Sequence, residues 1–332
     1  MKKNKITNYL HPLLTGALIF FSVAFISCSK SDDGSYGGGG TGSGSASTAI
    51  KITDAPIDDA NVSGVFVTIA DVKLDGISVQ GFTKTTVDLA AYQNGATKTL
   101  GNFSLAGKTY SNISFVLDYN TDANGNAPGC YVLSTTAVKH KLQTTSNVIT
   151  VAKSYTLQAG ASNSIVADFD LRKMVVHQAG ASDHYDFATA AELQSHVRLV
   201  VENQTGTVSG TLNDNISGSA KVIAYAYKKG TFNRATELSG QGASSIQFSN
   251  AVTSSLATGG IIGGSYQYQL HFLESGVYEV YFASYKDTNA DGEFELQGTL
   301  VVVAGGGLDL LNLSVSANTT LTVNATATGV MP

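Results

Sequence analysis

Residues 65–69 read Val65-Phe66-Val67-Thr68-Ile69, which puts Val65, Val67 and Ile69 on one side of an extended chain and Phe66 and Thr68 on the other. A period of two marks a strand with one face against a core, because successive side chains on a pleated backbone point to opposite faces. The same spacing recurs at Ile113, Phe115 and Leu117, and again at Ile165, Ala167 and Phe169. Val197 and Leu199 supply another such face. Further on, Val222, Ala224 and Ala226 alternate with Ile223, Tyr225 and Tyr227, followed by Tyr266, Tyr268, Leu270 and Phe272 and by residues 277–285. Strands are also expected over 300–303, 310–315 and 321–325. Between them lie clusters of Gly, Asn, Asp and Ser, the residues that close turns.

Composition agrees with this pattern. Of 332 residues, 14% are charged, well below the roughly 25% usual in soluble domains, and 35 are Gly. No stretch beyond the N-terminus carries Leu, Glu, Lys and Arg at helical spacing, which excludes a helical bundle. Short helices are expected only near 88–92 and 189–194. A parallel sheet needs crossover helices, so the fold class expected is all-β, built as two tandem antiparallel β-sandwich domains. The polar break Glu202-Asn203-Gln204-Thr205 divides them into 49–204 and 205–332.

A weak internal parallel accompanies the division. Leu105, Gly107 and Tyr110 precede a strand that ends in Asn120-Thr121-Asp122-Ala123-Asn124-Gly125, and Leu273, Gly276 and Tyr278 precede one that ends in Asp287-Thr288-Asn289-Ala290-Asp291-Gly292. In each, the Tyr is placed to tie a corner by hydrogen-bonding the backbone, as in immunoglobulin-like sandwiches.

The first residues read as an export signal. Lys2, Lys3 and Lys5 precede an apolar run over 17–26, too short to span a bilayer, that ends in Ser27 and Cys28. The segment Phe25-Ile26-Ser27-Cys28 resembles the lipobox of bacterial lipoproteins. That resemblance implies removal of residues 1–27, a diacylglyceryl thioether on Cys28 and acyl chains of the palmitate class. Two or three chains hold a protein stably where one does not, at about 0.8 kcal/mol per buried methylene. Ser29-Lys30-Ser31-Asp32-Asp33 is similar to signals that send lipoproteins to the outer face of an outer membrane. Residues 28–48 then complete a Gly- and Ser-rich tether. Cleavage leaves 17 Lys and Arg against 25 Asp and Glu, a charge of minus 8. With no basic cluster, nucleic acid is excluded as a partner. Cys130 is then the one remaining thiol besides Cys28, so no intrachain disulfide is expected, and with no adjoining His or Lys it reads as passive.

Ile52-Thr53-Asp54-Ala55-Pro56, with Asp58 and Asp59 and then 65–72, resembles the bacterial family known as domain of unknown function 4382. Asp88-Leu89, the stretch 105–110 before 113–117, and Asp168-Phe169-Asp170 near Val175 and Val176 continue the resemblance in order, over roughly 48–202. It implies a secreted or lipid-anchored β-sandwich and carries no catalytic residue. The second region is only generically similar to immunoglobulin-like or transthyretin-like modules.

Candidate chemistry lies in acidic loops. Asp287, Asn289, Asp291 and Glu295, with the backbone carbonyl of Glu293, have the spacing of oxygen ligands for Ca²⁺ around the turn residue Gly292, although Gly298 stands where an EF-hand has its bidentate Glu. Asn120, Asp122 and Asn124 repeat the spacing with fewer charges. Both loops also read as turns in which Asx side chains cap their own backbone. Asp54, Asp58 and Asp59 could line an acidic mouth but read first as turn residues. Asp168 and Asp170 share a strand face, the minimal arrangement for a carboxylate hydrolase. The histidines show no i, i+2 or i, i+4 pair, and no nucleophile elbow or Walker loop occurs.

These features together point to a lipid-anchored protein of the cell envelope, on an outer membrane and facing outward, that binds or displays without catalysis and needs no cofactor. Its expected partners are the membrane, through the N-terminal lipid, and a glycan or protein ligand at the surface. A Ca²⁺-assisted glycan-binding accessory lipoprotein of a nutrient-uptake system is the alternative, and a hydrolase using Asp168 and Asp170 a third.

Overall fold

The computed structural model describes residues 44–332 apart from 58, 60, 178–183, 260–263 and 290–293, so Cys28, its signal and residues 29–43 lie outside the described residues, whereas 45–48, read as the end of the tether, open the first strand, with Ala46 and Thr48 buried. The chain runs first through β1 (Ser45–Ala55), β2 (Val62–Leu74), β3 (Ile77–Ser78), β4 (Thr85–Asp88), β5 (Lys98–Ala106) and β6 (Thr109–Leu117). It continues through β7 (Tyr131–Ser134), β8 (Lys139–Lys141), β9 (Val148–Thr156), β10 (Ser162–Asp170), β11 (Val175–His177), β12 (Tyr185–Phe187) and β13 (Val197–Val201). One sheet has the order β13-β10-β1-β5; a second has the order β8-β7-β2-β6-β9, with β3 and β4 added along β2.

The faces read from period-two spacing do meet in one core. Val65, Val67 and Ile69 of β2, Ile113, Phe115 and Leu117 of β6, and Ile165, Ala167 and Phe169 of β10 are all buried there with Ile50 and Ile52 of β1. The rings of Phe115 and Phe169, from opposite sheets, meet edge-on at 5.2 Å. Each such side chain contributes about 1.5–3 kcal/mol by leaving water. The sheets are not wholly antiparallel: β1 runs parallel to β10, with Ile50 opposite Ile165. Most of this region lies between those two strands in sequence, so the return passes through the other sheet and no crossover helix is needed.

The remaining strands are β14 (Thr205–Asn213), β15 (Lys221–Lys228), β16 (Thr253–Ala257), β17 (Ser265–Glu274) and β18 (Gly276–Lys286), then β19 (Glu295–Ala304), β20 (Leu313–Val315), β21 (Thr320–Thr322) and β22 (Ala325–Met331). They form one sheet in the order β16-β15-β18-β19-β22-β14-β17. Its two end strands meet, since Thr258 and Gln267 exchange both backbone hydrogen bonds at 2.8 and 2.7 Å. The sheet thereby curls around Val208, Tyr268, Tyr278 and Phe282. Here too β21 and β22 lie parallel to β14. At their crossing a Cβ on Gly210 would sit 1.8 Å from the Val323 carbonyl oxygen, so only glycine allows the approach.

Two expected strands differ from their readings. The one over 310–315 starts only at Leu313, because the Asp309 carboxylate accepts from Leu311 N–H at 2.9 Å and closes a turn. The one over 321–325 splits into β21 and β22, where Asn324 Oδ1 takes the N–H of Thr211 at 3.0 Å. The helix expected near 189–194 is Ala190–His196, closed by a capping box between Thr189 and Glu192. Near 88–92 there is one 3-10 turn, Leu89–Ala91. Two short helices, Leu171–Met174 and Arg234–Ser239, were not legible. No helix among the described residues is long and apolar enough to cross a membrane.

The internal parallel has a physical counterpart. Tyr110 donates its hydroxyl to the Ala106 carbonyl at 3.0 Å, and Tyr278 donates to the Glu274 carbonyl at 2.7 Å, each four residues back. Gly42–Pro332 forms one compact unit, and Ile246, from the β15–β16 connection, is buried in the core of the first two sheets.

Candidate functional site

Asp168 and Asp170 end β10, and a single turn of helix directly after them brings Arg172 and Lys173 alongside. Both carboxylates are buried, where a solvent-facing pair would suit hydrolysis. The register of β10 with β13 places Arg198 directly opposite Asp168. Arg198 Nη2 donates to Asp168 Oδ2 at 2.6 Å, and its other terminal nitrogen donates to the Phe272 carbonyl of β17. Asp170 Oδ2 accepts from Lys173 Nζ at 3.0 Å and from Arg172 Nη2 at 3.3 Å. Burial pushes the Asp170 carboxyl up, but the Arg172 and Lys173 charges outweigh it and hold the group below the usual carboxylate range.

The cations reach on to the connection between β15 and β16. Lys173 Nζ donates to the Ala251 carbonyl at 2.7 Å, while Arg172 donates to the carbonyls of Gln247 and Phe248 and lies over the Tyr225 ring at 5.0 Å. Around this centre, Lys153 bonds Glu274 at 2.6 Å and Glu192 accepts from the Ser244 hydroxyl at 2.6 Å and N–H at 3.1 Å. A row of polar bonds thus joins residues before 205 to residues after it.

Beside the row lies a hollow of about 710 Å³, lined by Lys153, Asp168, Asp170, Lys173, His196 and Arg198. Asp170 Oδ1 and His196 Nδ1 have no hydrogen-bond partner, yet both atoms are closed off from solvent and cannot meet a ligand there. Burial, reinforced by Lys173, pushes the His196 imidazole down to about 4, so it is neutral at ordinary pH. Asp54, at the end of β1, accepts from Leu171 N–H at 3.0 Å. Burial, with the nearby charges of Asp170, Asp168 and Asp88, pushes its carboxyl well above the usual range. The arrangement is chemically a clamp: its acids are engaged by cations or backbone, and those cations are engaged across the junction.

The other sequence candidates are dispersed. Asp122 Oδ1 accepts from the N–H of Asn124 and of Asn126, each at 2.8 Å, and its Oδ2 accepts from the Asn126 side chain at 3.2 Å. Asn120 donates its N–H to Asp118, not to a shared centre with Asp122 and Asn124. Glu295 Oε2 accepts from the N–H and the hydroxyl of Thr288, both at 2.8 Å, which closes the second loop. Asp287 and Asn289 flank that closure, while Asp291 and Glu293 lie outside the described residues. No group of three or more His, Cys, Asp or Glu suited to a metal occurs among the described residues. Asp59 accepts from Asn61 N–H and from the Tyr185 hydroxyl, both at 2.7 Å, and Asp58 is outside the described residues. Cys130 is buried and accepts a long bond from Thr68 N–H at 3.4 Å. Burial pushes its thiol up to about 12, which keeps it protonated and inert.

Sequence reasoning missed Arg172, Lys173 and Arg198 as the partners of the paired carboxylates. The available signal was a charge set into an apolar strand, Val197-Arg198-Leu199, one position from a core face.

Residues 45–188 match the family model described as Domain of unknown function (DUF4382). The first β-rich region carries that family's pattern. The DUF4382 match includes Asp54, Asp168, Asp170, Arg172 and Lys173 and stops before Arg198, so the clamp joins the matched region to the strands beyond it. No curated protein matches the chain. Among solved structures, the Bacillus anthracis TIE protein aligns over 86% of this chain and 35% of its own length, at 10% identity and a TM-score of 0.18. This chain thus spans about a third of that one. The fimbrial anchor protein Mfa2 from Porphyromonas gingivalis aligns over 75% of this chain and 80% of its own, at 10% identity and a TM-score of 0.19. The major pilin from Streptococcus pyogenes aligns over 86% and 99%, at 10% identity and a TM-score of 0.16.

Proposed function

We propose that this protein is a lipid-anchored component of the cell envelope that works by binding and display, without catalysis. The observation that carries the reading is the commitment of the acidic pair. Asp168 is engaged by Arg198, and Asp170 by Arg172 and Lys173, and each cation is also held by a backbone carbonyl from beyond residue 205, that of Phe272 on β17 or those of Phe248 and Ala251 in the β15–β16 connection. A hydrolytic pair needs one carboxyl free to take and give a proton beside substrate, and this pair is spent on joining two bodies of sheet. A folded body preceded by a Gly- and Ser-rich segment suits an outward-held module. The tether, the lipid on Cys28 and an outer-membrane address are supported by the N-terminal sequence.

Fractionation of cells making the intact chain tests the reading. Recovery in outer membranes, loss of folded protein from intact cells treated with external protease, and release into the soluble envelope fraction on Cys28→Ser are expected. Retention of the Cys28→Ser chain in membranes, or protection from external protease, contradicts it.

A further inference from the structure

β18 and β19 begin as partners and then part. Their register runs from Lys286 opposite Glu295 to Ala283 opposite Thr299 and stops there. Beyond that point β18 turns to other neighbours: Val280 N–H donates to the Leu310 carbonyl at 2.8 Å, and 276–278 pair with β20. Residues 300–304 of β19 pair with β22 on one side only. Their second edge carries backbone groups with no strand partner among the described residues, and an edge of that kind is a template for another chain.

The parting leaves a slit of about 560 Å³ in the wall of the curled sheet. Its floor is core, formed by Val280, Leu300 and Leu310, which are all buried. Its rim is apolar and open: Val301 is 41% exposed, Leu308 42%, Leu311 46% and Met331 48%. Nine large apolar side chains are exposed on the described surface, and these four gather at one opening, with Val303 on the same strand as a fifth. Apolar side chains exposed singly need no explanation, but their concentration over an unpaired strand edge does.

We propose that this slit takes an extended segment of a partner polypeptide, with apolar side chains at alternate positions, as an added strand along residues 300–304. The free edge calls for a backbone, since main-chain N–H and C=O groups in register satisfy it and a lipid tail does not. The buried floor calls for apolar side chains every second residue, the spacing at which one face of a strand would point inward. A membrane surface is disfavoured, because Arg234, the cation at the slit, is already engaged by Thr299 and by the carbonyls of Met331 and Pro332. The inference goes beyond the anchoring and display reading and stands without it.

The test uses the full mature chain and a fluorescein-labelled peptide, Lys-Thr-Val-Thr-Val-Thr-Val-Lys. Saturable binding by fluorescence anisotropy is expected, weakened at least tenfold when every Val of the peptide is replaced by Ser. Two further peptides, methylated on the backbone nitrogens of either the Val or the Thr residues, each block one edge, and at least one is expected to lose binding tenfold. Val301→Glu and Leu311→Glu alter exposed side chains, so they should abolish binding while leaving the melting temperature within a degree. No binding of the parent peptide overturns the proposal, as do unimpaired binding of both methylated peptides and unimpaired binding by both variants. Sedimentation showing a dimer broken by Leu311→Glu, or capture of phosphatidylcholine vesicles lost in the same variant without peptide binding, would assign the slit to a second copy or to lipid and equally overturn it.

Discussion

Arg198 and Asp168 face each other across neighbouring strands at 2.6 Å, and both touch the far side of the junction, through the Phe272 carbonyl and the Thr253 hydroxyl. An ion pair this well buried is costly to break from one side, because the remaining charge stays dry and alone. Arg198→Met should therefore lower stability to urea by about 3–5 kcal/mol, and adding Asp168→Leu should restore most of the loss. A double-mutant cycle by urea unfolding checks both. The unaltered chain should unfold in a single transition, since the clamp and Ile246 tie its two bodies of sheet together.

The Tyr110 and Tyr278 corners make a second, independent test. Tyr110→Phe removes one hydroxyl bonded to a backbone carbonyl and should cost about 1 kcal/mol. Tyr278→Phe also strands Lys228 Nζ, which lies 2.6 Å from the same hydroxyl, and should cost somewhat more. The two sites belong to different cores, so the losses should add in the double variant.

Acid should remove two separate contributions to stability, against an opposing gain from Asp54, whose raised carboxyl takes up a proton on folding. His196 is held at about 4 in the folded chain against about 6.5 unfolded, so the unfolded chain binds the proton first and stability falls as pH drops from about 6.5 towards 4. Burial sets most of that depression; of the charged groups that face it, Lys173 and Arg172 deepen it while Asp170 and Glu192 oppose it. Asp75 and Asp118, each at about 2, are held by hydrogen bonds that require the carboxylate, and their contribution persists above about pH 4 and is lost towards pH 2. His196→Gln should remove the first contribution and leave the second in place, as read by melting temperature from pH 3 to 8.

The Asp122 loop should behave as a turn. All three donors to its carboxylate come from the loop itself, so Asp122→Ala should lower the melting temperature by the same amount in millimolar Ca²⁺ and in chelator. Any Ca²⁺-dependent stabilisation would then trace to the loop from Asp287 to Glu295 and vanish in Asp287→Ala.

How far the sequence carries is decided by the range of each interaction. Period-two spacing is local, and the faces at Val65, Ile113 and Ile165 all came together as read. The Tyr corners are local too, closing over four residues. The parallel pairing of β1 with β10 depends on contacts over more than a hundred residues and leaves no mark in either strand. The clamp was half legible: Asp168 and Asp170 stood out, but a charge on a solvent face and a charge in a buried pair have the same spelling. What distinguishes them is Arg198, set opposite by register, and the carbonyls of 247–251, which carry no side-chain signal at all. The slit beside β19 was hidden for a related reason, since the apolar run 300–303 reads alike whether one edge or both are paired.

Intact-mass spectrometry of the chain purified from membranes bears most directly on the proposal that it is an anchored display protein. Expected is a polypeptide starting at Cys28, heavier than its sequence by a diacylglyceryl group and acyl chains, with the added mass confined to the N-terminal peptide. A chain that retains residues 1–27, or one whose Cys28 carries no added mass, would contradict it.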